Sequence, residues 1–99
     1  MTHDEEARVI EQLRVVTNPV RFRILSLLSE KGDVRVGQIG TTIELTQPLA
    51  TYHLKLLILT GIIRSTRRGR NVFCSLSRVG KAIVRSRNAI AILNKNREL

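Results

Sequence analysis

A chain of 99 residues has length for one domain, and 42% hydrophobic residues are enough for a packed core. Aromatic residues make up 3%, which makes that core aliphatic and argues against an aromatic platform for stacking single-stranded bases. With 17 Lys and Arg against 8 Asp and Glu the net charge is +9, a balance that favours polyanionic partners over acidic-repelling ones. The charge is unevenly placed: residues 1–50 hold 6 basic and 7 acidic side chains, whereas residues 51–99 hold 11 basic ones and a single acid, Glu98. The lone cysteine, Cys74, rules out an internal disulfide. The acidic start (Thr2-His3-Asp4-Glu5-Glu6) lacks the apolar stretch of a secretory signal, and runs such as Leu56–Leu59 are too short to span a bilayer. A cytoplasmic, nucleoid-associated location is therefore expected.

The first helix is expected over Glu5–Val16. Ile10, Leu13 and Val16 fall on one stripe with Val9 beside them, and Glu5 and Glu6 favour the positive end of the helix dipole. Asn18-Pro19 then breaks the chain and starts a second helix, with Asn18 as cap and Pro19 at its first position. Val20, Ile24, Leu27 and Leu28 give this helix a buried face, Arg21 and Arg23 lie off it, and Lys31-Gly32-Asp33 stops it. Val34–Val36 reads as a short extended segment, and residues 37–43 as a third, short helix. Glu44-Leu45 is a turn. A fourth helix runs from Gln47 to Leu59, capped by Thr46 and ended by Gly61. Two β-rich runs, Ile62–Thr66 and Asn71–Leu76, flank a hairpin loop of Arg67-Arg68-Gly69-Arg70. A last helix covers Ser77 to Asn94, with Val79, Ile83, Ile90 and Leu93 as its apolar stripe. The expected fold is mainly α (α+β) in the order ααααββα, a single domain over 1–99 with flexible tails at 1–6 and 95–99.

Two short helices joined by a tight turn and followed by a basic hairpin suit the reading of duplex DNA. The second helix fits the major groove, the first braces it, and the hairpin, or wing, reaches phosphates. At 100° per residue, Ala50, Leu54 and Leu57 share one side of the fourth helix, while Pro48, Thr51, Tyr52, Lys55 and Leu59 share the other. The second face is polar enough for a groove. Gln47 can pair with adenine, and Thr46 lies at the end where backbone N–H groups meet phosphate. Arg64, Arg67, Arg68 and Arg70 crowd the wing, an arrangement that repels itself unless an anion neutralises it. A solvated helix face and a solvated hairpin tip are the plain alternatives.

The run Leu45-Thr46-Gln47-Pro48-Leu49-Ala50-Thr51-Tyr52-His53-Leu54-Lys55-Leu56-Leu57 resembles the recognition helix of the ArsR/SmtB-type winged helix-turn-helix repressors. Asn18-Pro19-Val20-Arg21-Phe22-Arg23-Ile24-Leu25 is similar to that family's second-helix start, and Gly61-Ile62-Ile63 with residues 67–73 to its strand and wing. The resemblance implies that Gln47, Pro48, Thr51 and Tyr52 face the groove, with Thr46 and Lys55 near the backbone and Arg67, Arg68 and Arg70 in the wing. It also implies a homodimer built from the first and last helices. Their apolar stripes, with Ile10, Leu13, Val79, Ile83, Ile90 and Leu93, agree, since a small monomer struggles to bury both. Two such readers call for a near-palindromic operator.

Glu44 departs from the family pattern, which usually has glycine there; a left-handed backbone at this position would strain it. The family's metal sites need cysteines near the third helix or Asp, His and Glu on the last one. This chain has neither set before Glu98, so no metal and no cofactor is expected. His53 reads as a structural, hydrogen-bonded histidine and Cys74 as a small hydrophobe. No nucleophile–base pair or phosphate loop points to an enzyme. The expected function is a sequence-specific duplex-DNA-binding transcriptional regulator, a homodimeric repressor. The alternatives are an architectural DNA-binding protein with little sequence preference and a protein–protein adaptor.

Overall fold

A computed structural model describes residues 1–97. It runs α1 (His3–Val16), α2 (Pro19–Lys31), β1 (Val34–Arg35), α3 (Val36–Ile43), α4 (Gln47–Leu59), β2 (Ile63–Arg68), β3 (Asn71–Leu76) and α5 (Arg78–Arg97). The expected winged helix-turn-helix order is present, with differences at element ends that have local causes.

A capping box starts α1 two residues before the sequence pattern suggested. The Thr2 hydroxyl accepts from the Glu5 N–H at 3.2 Å, and the Glu5 carboxylate accepts from the Thr2 N–H at 3.3 Å. Residues 3–6 are therefore helical rather than a tail. At the other end α5 continues past Asn94 to Arg97, so the expected tail is helical over 95–97, and residues 98–99 lie outside the described residues. In α2 the Asn18 side chain accepts from the N–H groups of Val20 and Arg21, as expected of an N-cap followed by proline. Val36, expected to be extended, opens α3; only Val34 and Arg35 form a strand.

The three strands are antiparallel in the order β1-β3-β2, with Val34 opposite Cys74, Ile63 opposite Leu76 and Arg68 opposite Asn71. Because partners share a face, Val34, Ile63, Cys74 and Leu76 point together into the core, and all four are buried. The central element is α2, which touches α1, α3, α4, α5 and β3. That explains Leu25, fully buried although it lies off the single stripe of Val20, Ile24, Leu27 and Leu28: α2 is covered on more than one side. Ile24, Leu25, Leu28, Ile39, Leu57, Ile62, Ile63 and Cys74 make up the innermost aliphatic core. Truncating such a leucine to alanine costs about 2–5 kcal/mol.

Candidate nucleic-acid interface

The two faces of α4 separate as the helical spacing predicts. Ala50, His53, Leu54 and Leu57 are buried, whereas Pro48, Thr51, Tyr52, Lys55 and Leu59 are exposed. Leu49 is also exposed, at the edge between the two faces, an apolar side chain to which the sequence drew no attention. Thr46 caps the helix, its hydroxyl accepting from the Leu49 N–H at 3.4 Å, and Pro48 lies in the first turn.

Gln47, exposed at the start of α4, also makes a contact that the sequence does not foresee. Its amide turns back onto α3, where Nε2 donates to the Gly37 carbonyl at 3.3 Å. The amide packs over Gly40, where an added Cβ would come within 2.5 Å of Nε2. Gln47 thus braces α3 against α4 over the small Gly40, with its amide nitrogen bonded within the chain.

The turn between α3 and α4 depends on Glu44. Its backbone is left-handed (φ 62°, ψ 45°), and it is the one non-glycine residue with positive φ among the described residues. The Leu45 N–H donates to the Gly40 carbonyl at 2.9 Å and the Glu44 N–H to that of Thr41 at 3.2 Å, the pair of bonds that closes a Schellman end. Glycine is the usual occupant because a Cβ there crowds the carbonyl oxygen. The strain anticipated from the sequence is present.

Arg21 fixes α4 from behind. Its Nε donates to the Val15 carbonyl at the end of α1, and its Nη1 lies 3.0 Å from His53 Nδ1. A guanidinium has only donors, so Nδ1 must accept, which places the neutral imidazole proton on Nε2. Burial pushes the His53 pKa below its usual 6.5, and the Arg21 charge pushes it the same way. From sequence spacing Arg21 lies off the buried stripe of α2; its long stem lets the head group reach both helices. Gln12 Nε2 adds a second tie from α1, donating to the Thr60 carbonyl at 2.9 Å.

The wing is longer in strand and shorter in loop than expected. Arg67 and Arg68 pair with Val72 and Asn71, leaving a two-residue turn of Gly69 and Arg70. Gly69 has φ 62° and Arg70 is not left-handed, the pattern of a type II′ turn, whose twist suits a hairpin. The arginines are divided by the pleat. Arg67 lies on the core-facing side of the ladder beyond Ser65 and Val72, while Arg64 and Arg68 lie on the opposite face with Phe73. Arg68 is held inside the chain: Nη2 donates to Asp33 Oδ2 at 2.7 Å, and its guanidinium lies 4.7 Å from the centre of the Phe73 ring. The Arg68 charge in turn lowers the Asp33 pKa. Arg64 sits at the root of the wing, away from the tip. Of the four wing arginines, Arg67 and Arg70 are the ones grouped at the tip with no ion pair among the described residues. Cys74 is fully buried on the core face of β3, where burial lifts its thiol pKa to about 11. No helix among the described residues is long and apolar enough to cross a membrane.

Comparison with known proteins agrees with this geometry. The sequence profile of the bacterial regulatory protein arsR family matches residues 18–65, from the Asn18 cap to the first strand of the wing. The chain is 30% identical to the transcriptional repressor SdpR of Bacillus subtilis (strain 168), covering 65% of this chain and 70% of that one. It is 31% identical to the arsenical resistance operon repressor of Escherichia coli (strain K12), covering 69% of this chain and 58% of that one. The fold is similar to that of HlyU from Vibrio cholerae N16961, with a TM-score of 0.80 at 24% identity over 90% of this chain and 97% of that chain. It is also similar to the homodimeric winged helix-turn-helix DNA-binding domain of Mb0332 from Mycobacterium bovis, with a TM-score of 0.79 at 20% identity over 98% of this chain and 90% of that chain. These relatives are regulators rather than enzymes. With its helix-turn-helix, basic hairpin and these likenesses taken together, the chain belongs to the arsR family of bacterial regulatory proteins.

Proposed function

We propose that this regulator binds duplex DNA as a homodimer, reading a near-palindromic operator with α4 and repressing transcription by occluding a promoter. The observation that carries the reading is the exposed face of α4. Thr51, Tyr52 and Lys55 stand clear of the core on a helix held from behind by Arg21 and His53. Thr51 and Tyr52 supply base-edge hydrogen bonding and apolar contact, and Pro48 and Leu49 shape the end that enters the groove. Thr46, Lys55, Arg67 and Arg70 supply phosphate contacts; Gln47 acts as a brace and Arg68 joins only on leaving Asp33.

An unpaired apolar surface supports the dimer. Ile10 (55%), Leu13 (49%), Ile90 (57%) and Leu93 (66%) remain exposed on α1 and α5, and Val79 is exposed next to half-buried Ile83. Of these, Leu13, Val79, Ile83 and Ile90 line an apolar groove of about 500 Å³ between α1 and α5, together with Val9, Val16 and Phe22. A second copy of the same two helices covers this surface in an isologous contact. Repression rests on SdpR and the arsenical operon protein being repressors; the Vibrio cholerae relative HlyU is an activator.

Fluorescence anisotropy on duplexes selected from a random pool tests the reading, with scrambled duplex as competitor at about 0.15 M salt. Cognate duplex should win by at least about 10³-fold. Equal competition would leave an architectural DNA coat, and no duplex binding at all would refute the proposal.

A further inference from the structure

A second site opens on the side of the molecule away from α4. At the root of the wing, a pocket of about 630 Å³ lies between the end of α2, the β2–β3 ladder and α5. That volume falls within the range of small-molecule sites. None of its lining residues comes from α3 or α4. Its floor is apolar, made by Leu28, Leu76 and Val84, all of which belong to the core. Its walls carry three cations, Arg64, Lys81 and Arg85, and none of them has an ion-pair partner among the described residues. Asp33, the one acid in the lining, is already occupied: it accepts from Arg68 at 2.7 Å.

Three cations around a cleft whose one acid is taken by Arg68 leave a surplus of positive charge that favours an anionic occupant. Arg64 reaches in from the strand, and Lys81 and Arg85, four residues apart, come from one face of α5. We propose that this pocket binds a small organic anion with an apolar body, of the medium-chain carboxylate class, whose carboxylate is held by Arg64, Lys81 and Arg85 while its chain lies on Leu28, Leu76 and Val84. The site connects the dimer helix α5 to the root of the wing and, through Asp33, to Arg68. An anion here is thus placed to act on the wing without touching the reading face.

The test needs no DNA, so its outcome is independent of the DNA-binding reading. The full chain, ¹⁵N-labelled, is titrated with hexanoate and with hexanamide, its uncharged counterpart, and amide shifts are followed. Hexanoate should give saturable shifts at Gly32, Asp33, Ser75, Lys81 and Val84 and leave Thr51 and Tyr52 unmoved. Hexanamide should bind at least tenfold more weakly, and the double variant Lys81→Gln, Arg85→Gln should lose at least tenfold in hexanoate affinity. Both replaced side chains are exposed, and the amide spectrum itself reports whether the variant is folded. Equal binding of acid and amide, unchanged affinity in a folded variant, or shifts confined to the Leu13–Ile83 groove would each overturn the proposal. Should the double variant not fold, Arg85→Gln alone is titrated, and undiminished affinity there overturns it equally.

Discussion

Replacing Glu44 by glycine should make this protein both more stable and a tighter DNA binder, by two separable routes. Glu44 holds φ 62° and ψ 45° at the turn into α4, a conformation that costs an L-residue about 1–2 kcal/mol. Glycine relieves that strain but adds about 0.4–1 kcal/mol of unfolded-state freedom, so the net gain is about 1 kcal/mol. For a domain of this size that raises Tm by about 4–8 °C, read by thermal unfolding followed by circular dichroism. The second route is charge. Glu44 lies two residues before the Thr46 cap, the end of α4 that the proposed function sets against phosphates. One unit charge about 10 Å from a phosphate is worth ~0.4 kcal/mol in water before screening, or about a twofold change in affinity per phosphate. Glu44→Gln separates the routes: it removes the charge and keeps the Cβ, so affinity should rise while Tm stays near that of the parent. A Glu44→Gly protein with unchanged or lower Tm would refute the strain argument. Unchanged DNA affinity in both variants would refute the electrostatic one.

Ile90→Asp places a charge on the exposed α5 stripe and should shift the protein from dimer to monomer in sedimentation velocity, with helix content retained; a parent chain that sediments as a monomer would remove the dimer. Asp33→Asn frees Arg68 and should steepen the slope of log affinity against log salt by about one, an effect that Arg68→Ala should abolish; an unchanged slope would mean Arg68 does not reach phosphate. Acid should weaken the fold through His53. Its folded pKa lies below the unfolded 6.5, so the unfolded chain binds more protons between the two values. The His53 contribution is complete above about pH 6.5 and is lost as pH falls from there through the folded pKa. His53→Gln should flatten that part of the stability profile in urea titrations, and an unaltered profile would assign the acid sensitivity elsewhere.

Periodicity and caps made most of the architecture legible. Asn18-Pro19, Thr46 and Gly61 mark ends that follow from local hydrogen bonding, and the buried and exposed sides of α4 follow from helical spacing alone. Leu25 escaped because a single stripe cannot show that α2 is covered on several sides. In the site, the positions of Thr51, Tyr52 and Lys55 were readable, whereas the engagement of Gln47 and Arg68 was not. Both depend on partners far away in sequence, Gly37 at ten residues and Asp33 at thirty-five. The role of Arg21 was hidden for the same reason: its amphipathic stem reaches a polar partner 32 residues on, at His53, that no local window contains. The wing loop was overestimated because arginine-rich sequence looks like a loop, although the type II′ turn needs only Gly69 and Arg70.

That short turn makes the wing a lever of adjustable length with a fixed rule. Each strand pairs over six residues, about 20 Å at ~3.3 Å per residue. Lengthening both strands by one residue would swing Arg67 to the face that Arg64 and Arg68 now occupy, since side chains alternate. Lengthening both by two would keep every arginine on its own side and move the tip outward by about 7 Å. The reach of this hairpin can therefore be changed, by evolution or by design, only in paired steps if the facing of its arginines is to survive.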